Sequence, residues 1–204
     1  MLISEKKQFL FYHVYKVAGT SIRDVLRPYC SKKQVALQNL QYGASVLGVN
    51  LEVPPVYKFH PRLVDVRDYM GDDFYKYYRF SFVRHPFDWQ KSLYFFMCQN
   101  KRHHQHDMIS KLTFEEYIKW RIDNELHLMS DLVSDSEGEV LLNDVYKFEN
   151  IQSEFSALSN KLNITGVLPH KNVAGKGKKV ELSDSTMKEF REAFSADFKN
   201  FKYD

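Results

Sequence analysis

The run Tyr77-Tyr78-Arg79-Phe80-Ser81-Phe82-Val83, closed by Arg84-His85-Pro86, constrains the fold of this chain more than any other stretch. Aromatic and β-branched residues crowd it in the manner of a strand. Asp88 to Asn100 then carries Trp89, Leu93, Phe96 and Met97 at helical spacing. The same grammar occurs earlier. From Phe9 an apolar, aromatic run leads into Lys16 and a small-residue turn at Gly19-Thr20-Ser21, and Ile22, Val25 and Leu26 suggest a helix that Thr20 or Ser21 would cap. Strands alternating with helices imply an α/β fold of three layers, a mostly parallel central sheet with helices on both faces. In such sheets ligands sit at the carboxyl ends of the strands.

The rest of the chain extends this pattern. Ser31 to Pro55 has weak periodicity and the pair Pro54-Pro55, which reads as a short strand near Val35–Leu40 set in loops. Val56-Tyr57-Lys58-Phe59 reads as a second short strand ending at His60-Pro61, and Leu63, Val66 and Met70 share one face of a following helix. Thr113 and Glu116 have the spacing of a capping box, Val145 to Phe148 reads as a strand, and Ile151–Leu162 and Ser183–Phe198 read as helices. With 204 residues there is material for one sizeable core, so the expected organisation is a single domain over 1–204.

Composition excludes several classes. A formal net charge of +3 argues for a local anion site rather than a nucleic-acid surface. Cys30 and Cys98, with no CxxC spacing, suggest neither a disulfide scaffold nor a zinc ribbon. The apolar run near the N-terminus is too short for a signal sequence and no segment reaches membrane-spanning length, so the expected setting is cytoplasmic. Lys101 to His106 holds three histidines without supporting carboxylate or cysteine spacing and reads as a solvated loop; no metal is required.

The chemistry concentrates at strand ends. A strand followed by a small-residue turn and a helix start points unpaired backbone N–H groups outward, so the turn ending in Gly19-Thr20-Ser21 suits a phosphate, with Lys16 as a mobile point charge beside it. A histidine ionises near neutrality, which suits His60, after its strand, for general base work; a surface histidine beside a proline is the plainer alternative. Arg84 offers a planar fork for a phosphate and Ser92, near the start of the next helix, a further hydroxyl; an ion pair of Arg84 with Asp88 is the plainer alternative. Gly175-Lys176-Gly177-Lys178-Lys179 is flexible and cationic, a solvated turn or a basic lid.

Four stretches together resemble the P-loop-like sulfotransferases, in the branch that holds Golgi carbohydrate sulfotransferases and short bacterial relatives. FYHVYKVAGTS is similar to that family's phosphosulfate loop, FSFVRHPFDWQKSLY to its 3′-phosphate motif, KFHPRLVDVRDYMGDDFYKYYRF to its histidine-bearing segment, and VYKFENIQSEF with LPHKN to its later landmarks. The loop departs from the family where proline, threonine and glycine give way to Tyr15, Val17 and Ala18. The resemblance implies 3′-phosphoadenosine 5′-phosphosulfate (PAPS) as co-substrate and PAP as product. It implies binding by Lys16, Ala18, Gly19, Thr20, Ser21, Arg84 and Ser92, a lid role for Lys176 and Lys178, and catalysis by His60 and Lys16. The expected activity is sulfuryl transfer to a hydroxyl of a small-molecule or carbohydrate acceptor. A non-catalytic PAP-binding module and a nucleotide kinase are the alternatives, the latter weakened by the lack of GxxxxGK[ST].

Overall fold

The computed structural model describes residues 1–49, 51–58, 60–168 and 179–204. Its contacts divide into two compact units, residues 1–83 with 130–168 and residues 84–129 with 179–204.

The first unit is built on a four-stranded, mostly parallel sheet in the order β1-β2-β3-β4 with helices around it. β2 (Phe9–Tyr12) pairs in parallel with β3 (Tyr78–Val83), Phe11 lying opposite Phe80, and β3 pairs in parallel with β4 (Asp144–Lys147), Phe82 lying opposite Tyr146. All four residues of β2 are buried. A strand buried on both faces reads as a continuous apolar run, which is why the sequence marks it so plainly. The rings of Phe11 and Phe80 stack across the pair at 5.4 Å. Onto this sheet pack helices that bury one apolar stripe each: α1 (Gly19–Leu26) through Ile22 and Leu26, α3 (Leu63–Met70) through Leu63 and Val66, and α8 (Ile151–Leu162) through Phe155, Leu158 and Leu162. Each such side chain contributes about 1.5–3 kcal/mol when fully buried.

Three features of this unit differ from the sequence expectation. An edge strand, β1 (Leu2–Ser4), pairs antiparallel with β2; at three residues it is too short to carry a period. The strand expected near Val35–Leu40 is instead part of a helix, α2 (Lys32–Val46). The reason lies in what that helix buries. Gln34 accepts from Ile3 N at 3.0 Å and donates to the Val56 carbonyl at 3.4 Å, while Gln38 donates to the Met1 carbonyl at 2.7 Å and accepts from Arg23 at 3.1 Å. Two glutamines thus satisfy the outer edge of β1, as an open sheet edge requires. Leu40, Tyr42 and Val46 stay exposed, so the helix has no apolar stripe to read. Third, Val56 to Lys58 forms no strand: Pro55–Tyr57 is a 3-10 turn, started by a proline that suits a first helical position and closed by Tyr57 N donating to the Pro54 carbonyl at 2.9 Å.

The second unit is helical. α4 (Pro86–Gln99) buries Trp89, Gln90, Leu93 and Met97, and α6 (Phe114–Asn124) begins with the expected capping box between Thr113 and Glu116. Tyr117 of α6 donates to Gln90 Oε1 at 2.7 Å, and Trp89 stacks on His127 at 5.7 Å. Between α4 and α6 lies the short helix α5 (His106–Ile109); α7 (Met129–Val133), next in the chain, belongs to the first unit from residue 130 onward. The single helix expected over Ser183–Phe198 is two, α9 (Asp184–Ala193) and α10 (Ser195–Phe201). They divide at Phe194, fully buried with its ring stacked on Phe190 at 4.3 Å, so packing overrides helix continuity there.

Candidate active site

β2 ends at Tyr12, and the six residues His13 to Ala18 carry the chain to α1. Lys16 (φ 65°) and Ala18 (φ 58°, ψ 20°) are both left-handed. A side chain in that region costs about 1–2 kcal/mol, so the loop is held by its surroundings rather than by local preference. α1 starts at Gly19, and its first helical bond runs from Ile22 N to the Ala18 carbonyl at 3.2 Å. Neither Thr20 nor Ser21 caps it, against expectation. The N-cap position falls on Ala18, ahead of both hydroxyls, so Thr20 is an exposed second residue and Ser21 a buried third. As a consequence the N–H groups of Gly19, Thr20 and Ser21 precede the first helical bond, and among the described residues none donates to a protein acceptor. Three successive backbone donors at a helix start, two left-handed residues beside them and a half-buried Lys16 are a donor set that fits a phosphate group.

His60, which precedes α3 in the chain, packs against the same loop. Its Nδ1 is 3.2 Å from the His13 carbonyl oxygen, its ring centroid is 5.1 Å from that of His13, and Tyr15 meets it edge-on at 5.5 Å. Tyr12 fixes the adjoining backbone by donating to the Pro61 carbonyl at 2.6 Å. A carbonyl only accepts, so the Nδ1 contact requires a proton there and leaves Nε2 as the basic nitrogen. Desolvation in these packed surroundings lowers the His60 pKa from 6.5 toward about 4. The residue keeps an exposed face, and at neutral pH His60 is an uncharged imidazole. His13, buried at 7% exposure, is pushed well below 6.5 by the same cause.

Arg84 is the residue after β3 and is half-buried. Ser92 is buried, and as the seventh residue of α4 it lies in the second turn, about 9 Å along the helix from its first residue, deeper than expected. His85, between Arg84 and the helix, is held edge-on by Phe198 at 5.5 Å and Tyr203 at 5.3 Å. Lys176 and Lys178, and most of LPHKN, lie outside the described residues. His103 and His104 stack at 4.5 Å, and His106 Nδ1 is 2.8 Å from the Met97 carbonyl; among the described residues no three His, Cys, Asp or Glu side chains gather as a metal site needs. No helix among them is long and apolar enough to cross a membrane.

Sequence reasoning missed His13 and the contact of Tyr15 with His60. The available signal was position alone, a histidine and a tyrosine between a buried strand and the loop lysine.

Comparison with curated proteins and with solved structures returned no match. The model of the Sulfotransferase family matches residues 1–204, the whole chain. The chain therefore belongs to the sulfotransferase family, an enzyme that transfers sulfate to an acceptor.

Proposed function

We propose that residues 1–204 act as one sulfotransferase domain that moves a sulfuryl group from PAPS to an acceptor hydroxyl, with His60 as the general base. The observation that carries this reading is the contact of His60 with residues 13 and 15, which places a neutral imidazole on the loop that also bears Lys16 and the free N–H groups of α1.

PAPS, when bound, supplies an activated sulfuryl group on its 5′-phosphate. The N–H groups of Gly19, Thr20 and Ser21 hold that phosphate, helped by the positive end of α1. Lys16 meets the charge that grows on the bridging oxygen as its bond to sulfur breaks. His60 Nε2 takes the acceptor proton as the acceptor oxygen bonds to sulfur, and its depressed pKa keeps it ready to do so at neutral pH. Arg84 forks onto the 3′-phosphate and Ser92 adds a hydroxyl donor. The acceptor is a small molecule or a sugar.

Transfer of labelled sulfate from PAPS, screened over sugars, phenols and alcohols, tests this. Label on a hydroxyl acceptor with release of PAP is the expected result. Tight PAP binding with no transfer to any class would make the chain a binding module, and magnesium-dependent phosphoryl transfer from ATP would make it a kinase.

A further inference from the structure

We propose that His13 is a positioning residue that ties the phosphate loop to the base, its imidazole bearing on Gly19 and its main-chain carbonyl orienting His60. The inference rests on the reading of His60 as base. A Cβ built on Gly19 would lie 1.6 Å from Nε2 and 1.8 Å from Cδ2 of His13. Position 19 is therefore glycine because an imidazole occupies the place of its side chain. The backbone there needs no glycine, since Gly19 does not have a positive φ. On the other side the His13 ring faces His60 at 5.1 Å, and its plane is set by stacking on Phe11 of β2 at 6.1 Å and 24°. The carbonyl of the same residue meets His60 Nδ1.

One residue thus touches the first donor of α1, the core of the sheet and the base. The chemistry requires the phosphate donors and the basic nitrogen to keep a fixed relation, because small misplacements of reacting groups lower rates steeply. His13 supplies that relation without contacting substrate. A neutral, flat ring suits this position because it fills the gap between Phe11 and His60 and adds no charge beside the base.

The ring nitrogens of His60, observed by 1H–15N correlation in the full chain, give a readout that does not depend on activity. In the wild type they should show one neutral tautomer with the proton on Nδ1. His13→Ala should move both signals toward the average of the two tautomers and lower kcat at least tenfold. His13→Asn, which restores a flat polar group, should recover most of both. Gly19→Ala, which drives a methyl into the imidazole, should disturb the His60 signals as well, and the double variant Gly19→Ala/His13→Ala should unfold at a higher temperature than Gly19→Ala alone. His60 signals that stay at wild-type positions in both His13→Ala and Gly19→Ala overturn the proposal. If His13→Ala does not fold, Gly19→Ala decides it on the same signals. Should His60→Ala leave turnover intact, the base reading fails, yet the tautomer signals still test what His13 does.

Discussion

Two parallel strands in this chain run into helices, and the two junctions are built differently. From Tyr12 to Gly19 the chain spends six residues, two of them left-handed, and reaches α1 with three backbone N–H groups uncommitted. From Val83 to Pro86 it spends two, and the proline that opens α4 has no N–H to offer. The first junction presents three backbone N–H groups; the second presents two, of Phe87 and Asp88, and adds a side chain, Arg84. Backbone donors survive most substitutions and fail only when the loop changes shape. A guanidinium fork is removed whole by one mutation. In the proposed reading the enzyme uses the first device for the reacting phosphate, where geometry governs rate, and the second for the distant phosphate, where identity governs selection.

Variants can break that contrast. The largest effect is expected from His60→Ala, which should lower turnover about a hundredfold or more, the scale of losing a general base, with little change in PAP affinity by calorimetry. Lys16→Ala should reduce turnover on the order of a hundredfold and PAP affinity less, because its main contact is with charge that develops during transfer. Equal loss of both would make Lys16 a simple anchor. Ser92→Ala should weaken PAP by about 1 kcal/mol, the worth of one neutral donor, and leave turnover at saturation alone.

The loop also has a pH signature. Both His13 and His60 are held below 6.5 when folded, whereas the unfolded chain takes up protons there. The unfolded state then binds more protons, so stability is full above about 6.5 and is lost as pH falls toward the folded values. Thermal unfolding at pH 5 should therefore occur several degrees below that at pH 7, and His13→Asn should flatten the trend. The smallest effect is expected at Ala18. Glycine relieves about 1–2 kcal/mol of left-handed strain but loosens the unfolded chain by about 0.4–1 kcal/mol, so Ala18→Gly should raise stability by roughly 1 kcal/mol or less in a denaturant titration.

What was legible in the sequence follows from the same physics. β2 announced itself because a fully buried strand is continuously apolar, β3 and β4 because aromatic and β-branched residues crowd them, and α6 because its cap is a local motif. α2 did not, because its buried face is Gln34 and Gln38 bonded to the edge of β1, a partnership that no local period records. Val56 to Lys58 misled because a hydrophobic run after two prolines reads alike as strand or turn. In the site, Lys16 and Gly19 were singled out by their place after β2, whereas His60 was singled out as following a strand that does not form. The wedge of His13 against Gly19 joins residues whose nearness depends on the loop's left-handed turns, and only coordinates reveal it.

The division of labour between the two junctions is tested most directly by titrating wild type and Arg84→Ala with PAP and with adenosine 5′-monophosphate, which lacks the 3′-phosphate. The account predicts that Arg84→Ala weakens PAP by roughly 2–4 kcal/mol, the range for breaking a charge-assisted, partly buried pair, while binding of the monophosphate changes much less. Equal losses for both nucleotides would contradict it, and would assign Arg84 to the fold or to the 5′ site.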